Sequence, residues 1–466
     1  MMNQTDTEVR AKGMMTKREL EEAVREGRID TVVVAIIDMQ GRLMGKRLTG
    51  DYFLQGDLDH GTHFCNYLLG TDMEMNTPPG FREMNWEGGY GDWLARPDWS
   101  TLRRIPWLDK TAMVLADVVS EATGELIDIA PRSILKKQLK KARDRGFHIM
   151  MASELEFYTM EETYESIHDK GYERILTAGR YNEDYNLLQG TRNEPLYRKV
   201  RQYMTESGIP VESSKGEACA GQHEVNLVYT DALSSADRHV SFKHGLKEIG
   251  IQEGYAITFM AKPDHRWTGS SGHIHISLWD PDLKNNLFYD PAAKHHMSET
   301  MRHFLGGVMK YTRDLTLWFA PNINSYKRFA PESWAPVHIV WSRDNRSAGI
   351  RIVGDKKGLR IENRITGADI NPYLAYAAMI GAGLEGIEQR IEPEAERKGN
   401  AYEVKGSPSI PGSLYEAIAY WEGSDTVKKI LGEDVAYHYG YAAKLEQQAY
   451  DAVVTTWERA RYFEQG

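Results

Sequence analysis

Apolar and polar positions change rhythm many times along this chain, and the changes mark its elements. Thr16 to Glu26 has the spacing of a short amphipathic helix. Thr31-Val-Val-Val-Ala-Ile-Ile-Asp38 follows, an apolar run of the length a buried strand takes. Gln40-Gly41 reads as a hairpin turn into Arg42 to Arg47. Asp57 to Trp107 is irregular and rich in glycine and aromatics, and Met113 to Val119 is again a strand. Pro131 to Arg145 predicts a helix, with proline near its first turn and Lys and Arg toward its end.

Beyond residue 146, strands and helices follow one another without strict βαβ order. Strands are predicted over 149–158, 224–229, 256–261, 273–279, 337–341 and 359–365. Helices are predicted over 231–253, 297–318, 371–388, 412–422 and 435–462. That order argues for an α+β fold with a mostly antiparallel sheet. No repeat of 20–50 residues is visible. The boundary between a smaller first domain and a larger second one is expected near 115–130. Residues 1–15 are polar, without an apolar signal core, and read as a partly disordered tail.

Composition narrows the function classes. The 466 residues are 41% hydrophobic and 27% charged, as in ordinary globular proteins. No apolar run approaches a membrane span. The net charge of −10 argues against nucleic acid as a partner. Two cysteines, Cys65 and Cys219, make no disulfide framework and fit a reducing cytoplasm.

Some of the acidic excess is patterned. Glu154 and Glu156 are two apart in a predicted strand and share a face, which is unfavourable unless a cation offsets them. Gly216 and Gly221 permit a tight turn that brings Glu217 toward Glu224. In Gly269-Ser-Ser-Gly-His-Ile-His-Ile-Ser277, a glycine-rich loop feeds a strand with His273, His275 and Ser277 on one face. Arg360, Glu362 and Arg364 share another face, near Asn345-Arg-Ser-Ala-Gly-Ile-Arg351 and Ser325-Tyr-Lys-Arg328. Taken singly, these pieces read equally well as solvated faces or salt-bridge ladders. Together they put hard oxygen donors suited to Mg²⁺ or Mn²⁺ beside arginine forks suited to phosphate and carboxylate. There is no G-x-x-x-x-G-K-[ST] loop, so phosphates must be held by metals and side chains.

In this order, E-x-E-F (154–157), G-Q-H-E (221–224), G-x-x-x-H-x-H-x-S (269–277), N-S-Y-K-R (324–328), N-R-S-A-x-x-R (345–351) and R-x-E-x-R (360–364) closely resemble the glutamine synthetase family. The resemblance runs from Val32 to the C-terminal helix. It implies a small β-grasp N-terminal domain (16–120) and a large catalytic domain with a curved antiparallel sheet (121–466). It implies a double-ringed dodecamer, with each active site between one catalytic domain and the neighbour's N-terminal domain. By the same resemblance Glu156, Glu217 and Glu224 would hold one metal, and Glu154, His273 and Glu362 a second. The family uses two or three Mg²⁺ or Mn²⁺ ions per site. Arg328 and Arg364 would bind glutamate, with Gly269 nearby, and Arg346 would stabilise the transferring phosphoryl group. Arg351, Lys357 and Arg360 would contact ATP phosphates, and Glu212, His275 and Ser277 would line the nucleotide site. The implied reaction phosphorylates the γ-carboxylate with ATP, and an amine then displaces phosphate.

The departures fall on the nitrogen side. Ammonia-using members carry Phe-Asp-Gly-Ser-Ser in the N-terminal domain, whereas here the region reads His63-Phe-Cys-Asn-Tyr-Leu-Leu-Gly-Thr-Asp72. A second aspartate of that latch is kept as Asp92. Six residues after Arg328, where ammonia users have a glutamate, stands Trp334, which cannot act as a base. Glu332, two residues away, is the available substitute. The region is similar to γ-glutamyl-amine ligases such as the γ-glutamylethanolamide synthetases. The expected nucleophile is therefore a small organic amine in an aromatic pocket of Phe64, Tyr67 and Trp334. Ammonia, or a polyamine, is the alternative.

Overall fold

The computed structural model describes residues 11–56 and 59–466. Its first sheet is built from β1 (Thr31–Ile37), β2 (Leu43–Thr49), β3 (Thr62–Cys65), β4 (Asp92–Pro97), β5 (Arg103–Arg104) and β6 (Thr111–Val119). The order is β2-β1-β6-β4-β3, with β5 also on β6. Only β1 and β6 run parallel. The helix Lys17–Arg25 starts on a capping box between Thr16 and Glu19 and buries Leu20, Ala23 and Val24.

Residues 1–10 of the expected tail lie outside the described residues. Residues 13–15 are tied down: Met15 N donates to Leu102 O at 3.0 Å and Arg104 N to Gly13 O at 2.9 Å. The irregular stretch 57–107 also holds more order than its pattern shows, since β3, β4 and β5 lie within it. Short strands among glycines and aromatics leave too few residues for a period to register.

The second sheet contains β7 (His148–Met160), β8 (Val211–Gly216), β9 (Gln222–Leu227), β10 (Thr230–Asp231), β11 (Ala256–Thr258), β12 (Ile274–Trp279), β13 (Trp341–Arg343), β14 (Ile350–Val353) and β15 (Arg360–Asn363). Its order is β13-β14-β15-β12-β7-β9-β8, with β10 and β11 also on β7. All pairs are antiparallel except β13 with β14. β7 is 13 residues long and pairs with β12 at its start and β9 at its end, so it carries the sheet through its curve.

Behind this sheet lie long helices. Pro372–Gln389 is apolar all round and buried along most of its length, as a core helix should be. It approaches Glu299–Phe319 so closely that a Cβ on Gly307 would stand 2.2 Å from Ala382 O. Two sequence expectations need correction. The apolar run 337–339 does not join the sheet: Ile339 N donates to Pro408 O and Ile410 N to Val337 O, so a later segment covers it, and contact with β14 begins where Ile350 N donates to Val340 O, just before the strand Trp341–Arg343. The helix expected over 435–462 is two, Glu433–Asp451 and Thr456–Tyr462. The β-branched run Val453-Val454-Thr455-Thr456 interrupts it, and Thr455 caps the second piece with Glu458.

The two sheets share one core. Ala35, Met113 and Leu115 of the first pack with Leu155, Phe157 and Phe242 of the second part. Arg132, 3% exposed, joins them polarly, pairing with Asp117 (2.5 Å), Asp98 (2.8 Å) and Asp237 (3.0 Å). Among the described residues no helix is long and apolar enough to cross a membrane.

Candidate active site

Strand register assembles the site. On β7 the odd–even alternation turns Glu154 and Glu156 to one face. Glu224 on β9 lies directly across from Glu156. On the other side, β12 brings His275, β15 brings Glu362 opposite it, and β14 brings Arg351 opposite Glu362. The loop before β12 is pinned to β7, with Glu154 N donating to His273 O and Glu156 N to Ser271 O. A cleft of 1230 Å³ opens over this face.

Two groups of side chains meet the spacing of a metal site. Glu156, Glu217 and Glu224 form one, and Glu154, His275 and Glu362 the other, each with ligand atoms within 4.8 Å of one another. In the second group His275 stands where His273 was expected. His273 is nonetheless beside it, with Nδ1 3.4 Å from Glu154 Oε2 and 3.8 Å from Glu362 Oε1. His275 Nε2 lies 3.0 Å from Glu154 Oε1, and Arg360 Nε donates to its Nδ1 at 3.0 Å.

The electrostatics of the groups differ. Burial, then the neighbouring Glu217, pushes Glu156 up to about 8. Burial, then Glu154 and Glu156, pushes Glu224 up to about 9. Carboxylates crowded this way need a cation to stay ionised, and hard oxygen donors fit Mg²⁺ or Mn²⁺. Burial also acts on Glu362 and Glu154, but His275 and His273 outweigh it. They hold Glu362 at about 2 and Glu154 well below the usual carboxylate range. Burial lowers His273 to about 4, leaving it neutral and able to ligate at neutral pH.

The arginines line the same cleft. Arg328 is 2% exposed, donates to Ser271 Oγ at 3.2 Å and to Ile365 O, and leaves a buried Nε without a protein partner. Burial lowers its guanidinium to about 10, so it remains charged at neutral pH. Gly269 gives it room, since a Cβ there would lie 2.4 Å from Arg328 Cγ. Arg364 donates to Glu362 at 2.5 Å and to Arg346 O at 3.0 Å, and Arg351 donates to Glu362 at 2.9 Å. Arg351 Nε is also buried without a partner. Both arginines line the cleft, and a planar guanidinium fork suits the oxygens of a carboxylate or phosphate.

Most of the residues singled out in the sequence come together here. Glu154, Glu156, Glu217, Glu224, Gly269, His273, His275, Arg328, Trp334, Arg346, Arg351, Arg360 and Arg364 line the cleft, and Glu362 is buried beneath it. Trp334 stands at its edge, 62% exposed, at a φ of +64°. Glu212, Ser277, Lys357 and Glu332 are not on its wall. Phe64, Tyr67 and Asp92 border a separate cavity of 290 Å³ against the β1–β2 hairpin. Within one chain they do not meet Trp334. Sequence reasoning passed over Lys215, Tyr185, Asp184 and Asp344, which do line the cleft. Lys215 was findable, as it precedes Glu217 by two in a strand. Tyr185 and Asp184 sit in a loop with no pattern to mark them.

Comparison with known proteins agrees with this architecture. The family model described as glutamine synthetase, catalytic domain, matches residues 128–462. The chain is 46% identical over 446 residues to gamma-glutamylethanolamide synthetase GlnA4 of Streptomyces coelicolor, covering 96% of this chain and 95% of that protein. It is 36% identical to glutamate–isopropylamine ligase of a Pseudomonas species, covering 95% and 96%. Among solved structures, a GmaS/ADP complex superposes with a TM-score of 0.84 at 27% identity, covering 97% of this chain and all of that one. With the family's motifs placed around one cleft and its model spanning most of the chain, this protein belongs to the glutamine synthetase family of ligases.

Proposed function

We propose that the protein joins the γ-carboxylate of glutamate to a small organic amine, using ATP and passing through γ-glutamyl phosphate. Arg328 and Arg364 hold the glutamate carboxylate with rigid, buried forks, and Arg351 and Arg360 face the ATP phosphates. Arg346 lies at the cleft's open side, where it offsets charge on the phosphoryl group as it moves. The groups Glu156–Glu217–Glu224 and Glu154–His273–Glu362, with His275 alongside, would hold Mg²⁺ or Mn²⁺. Bound there, the ions neutralise phosphate charge. The γ-carboxylate oxygen attacks the γ-phosphorus, ADP leaves, and the amine nitrogen then attacks the acyl carbon and expels phosphate. That the GmaS structure is an ADP complex supports a nucleotide in this cleft.

The observation that carries the choice of amine is Trp334 at the cleft's edge, where ammonia-using relatives are expected to have a glutamate. An indole offers an apolar or cation-facing surface and no base. The two relatives named for ethanolamide and isopropylamine products support the same reading. Phosphate release with ATP and glutamate, measured across ammonia, ethanolamine, isopropylamine, an arylamine and a polyamine, is expected to be strongest with a small monoamine. Product masses should show the amide. Equal release with millimolar ammonia would instead make this an ordinary glutamine synthetase.

Trp334→Glu is expected to shift preference toward ammonia by about tenfold or more, since a placed general base contributes at least that much. Because Trp334 is largely exposed, the melting temperature should not move. An unchanged ammonia-to-amine ratio would separate this residue from nucleophile choice.

Phe64, Tyr67 and Asp92 enter this reading only through a second copy, whose first sheet closes over the cleft. The dodecamer that the family resemblance implies would supply that copy. Light scattering on the active enzyme should give a mass near twelve times 53.1 kDa. A fully active monomer would remove these residues from the site.

A further inference from the structure

Lys215 stands inside the first carboxylate group, and nothing in the reaction described so far uses it. It lies on β8 directly across from Glu224 on β9, and two residues before Glu217. Strand pairing sets Lys215 beside Glu224, and Glu217, just past the end of β8, meets both. Its ammonium donates to Glu217 and lies 3.9 Å from Glu224 Oε1. The Lys215 side chain is 21% exposed, against 15% for Glu217 and 6% for Glu224.

The ammonium also lies over the ring of Tyr185, whose centroid is 4.6 Å from Nζ. The Tyr185 loop is fixed in place. Glu183 is 1% exposed and accepts from Gly221 N at 2.9 Å, which ties that loop to the turn between Glu217 and Glu224. Lys215 thus lies between an aromatic ring and two carboxylates, Glu217 and Glu224, with its backbone paired to Glu224 on β9.

We infer that Lys215 is a positioning residue, a tethered cation that shares the first carboxylate site with the metal and sets how tightly the metal is held. This rests on the metal reading proposed above. Three carboxylates and one ammonium carry a net charge of −2, which one divalent ion cancels. Before the ion arrives, the ammonium offsets the charge of Glu217, to which it donates, and lies beside Glu224. Once the ion sits among Glu156, Glu217 and Glu224, the ammonium faces a like charge at close range and can swing only toward Tyr185. It therefore weakens the ion's hold and keeps it exchangeable, at the price of some affinity.

Mn²⁺ titration by calorimetry tests this without turnover. The binding step lost in Glu217→Gln identifies the first site. In Lys215→Met that step is expected to tighten about tenfold or more, because the opposing charge is gone and the stem's volume is kept. Metal-free Lys215→Met should melt lower than wild type and gain more on adding Mn²⁺. Lys215→Gln should move the same way, and Lys215→Arg should bind as wild type does. Unchanged or weaker Mn²⁺ binding in Lys215→Met and Lys215→Gln overturns the inference and leaves the metal reading standing. No Mn²⁺ binding by the wild type at all overturns both.

Discussion

Glu362→Ala is expected to remove phosphate release with every amine, by about 10²–10³-fold or more, the scale on which single electrostatic groups in such sites act. Glu362 is 1% exposed and lies between Arg351, Arg364 and the two histidines. Its loss takes away a metal ligand and also leaves Arg364, 4% exposed, beside no carboxylate. Breaking a buried pair from one side costs about 3–5 kcal/mol. The melting temperature should therefore fall as well, and the gain on adding Mn²⁺ should shrink. Glu362→Gln separates the two effects, because it keeps the volume and a hydrogen-bonding head but not the charge. It should lose less stability than Glu362→Ala, because Arg351 and Arg364 keep an acceptor, and still fail in turnover. Near-normal turnover in either variant would mean that no metal depends on Glu362.

Arg328→Lys should act on one substrate. Arg328 is buried, lines the cleft, and donates to Ser271 Oγ and Ile365 O. A lysine ammonium cannot reproduce a planar fork that serves a loop and a carboxylate together. Losing a charged hydrogen bond of about 2–3 kcal/mol should raise the KM for glutamate about 30- to 150-fold. The KM for ATP should stay within about a factor of three, because Arg328 is not among the residues facing the phosphates. A parallel rise in both constants, with a lowered melting temperature, would show that Arg328 holds the Ser270–Ser271 backbone and does not select glutamate.

Parts of this design are local and parts are not. Glu154 with Glu156, His273 with His275, and Arg360 with Glu362 and Arg364 are each spaced by two, within a strand or at its end. Alternation puts such residues on one face, and so the sequence already showed the groups suited to metal and phosphate. The helices Ala232–Glu253, Glu299–Phe319 and Pro372–Gln389 were legible for a similar reason, being long enough for their pattern to outweigh noise. Short strands such as β3 and β14 were not, and neither was the break at Val453–Thr456.

What the sequence by itself determined is therefore the set of groups: carboxylates, imidazoles and guanidinium forks in alternation, and the family they resemble. Only the tertiary structure decided which of these faces meet. Strand order β14-β15-β12-β7-β9 brings Arg351, Glu362, His275, Glu154 and Glu224 together from segments up to 208 residues apart. It also put Lys215 and Tyr185 into the first carboxylate group, and kept Phe64, Tyr67 and Asp92 out of the cleft of their own chain. The physical reason is that alternation acts between neighbours along the chain. Which strands lie side by side is set by long-range pairing and shared core packing, and no local spacing encodes that.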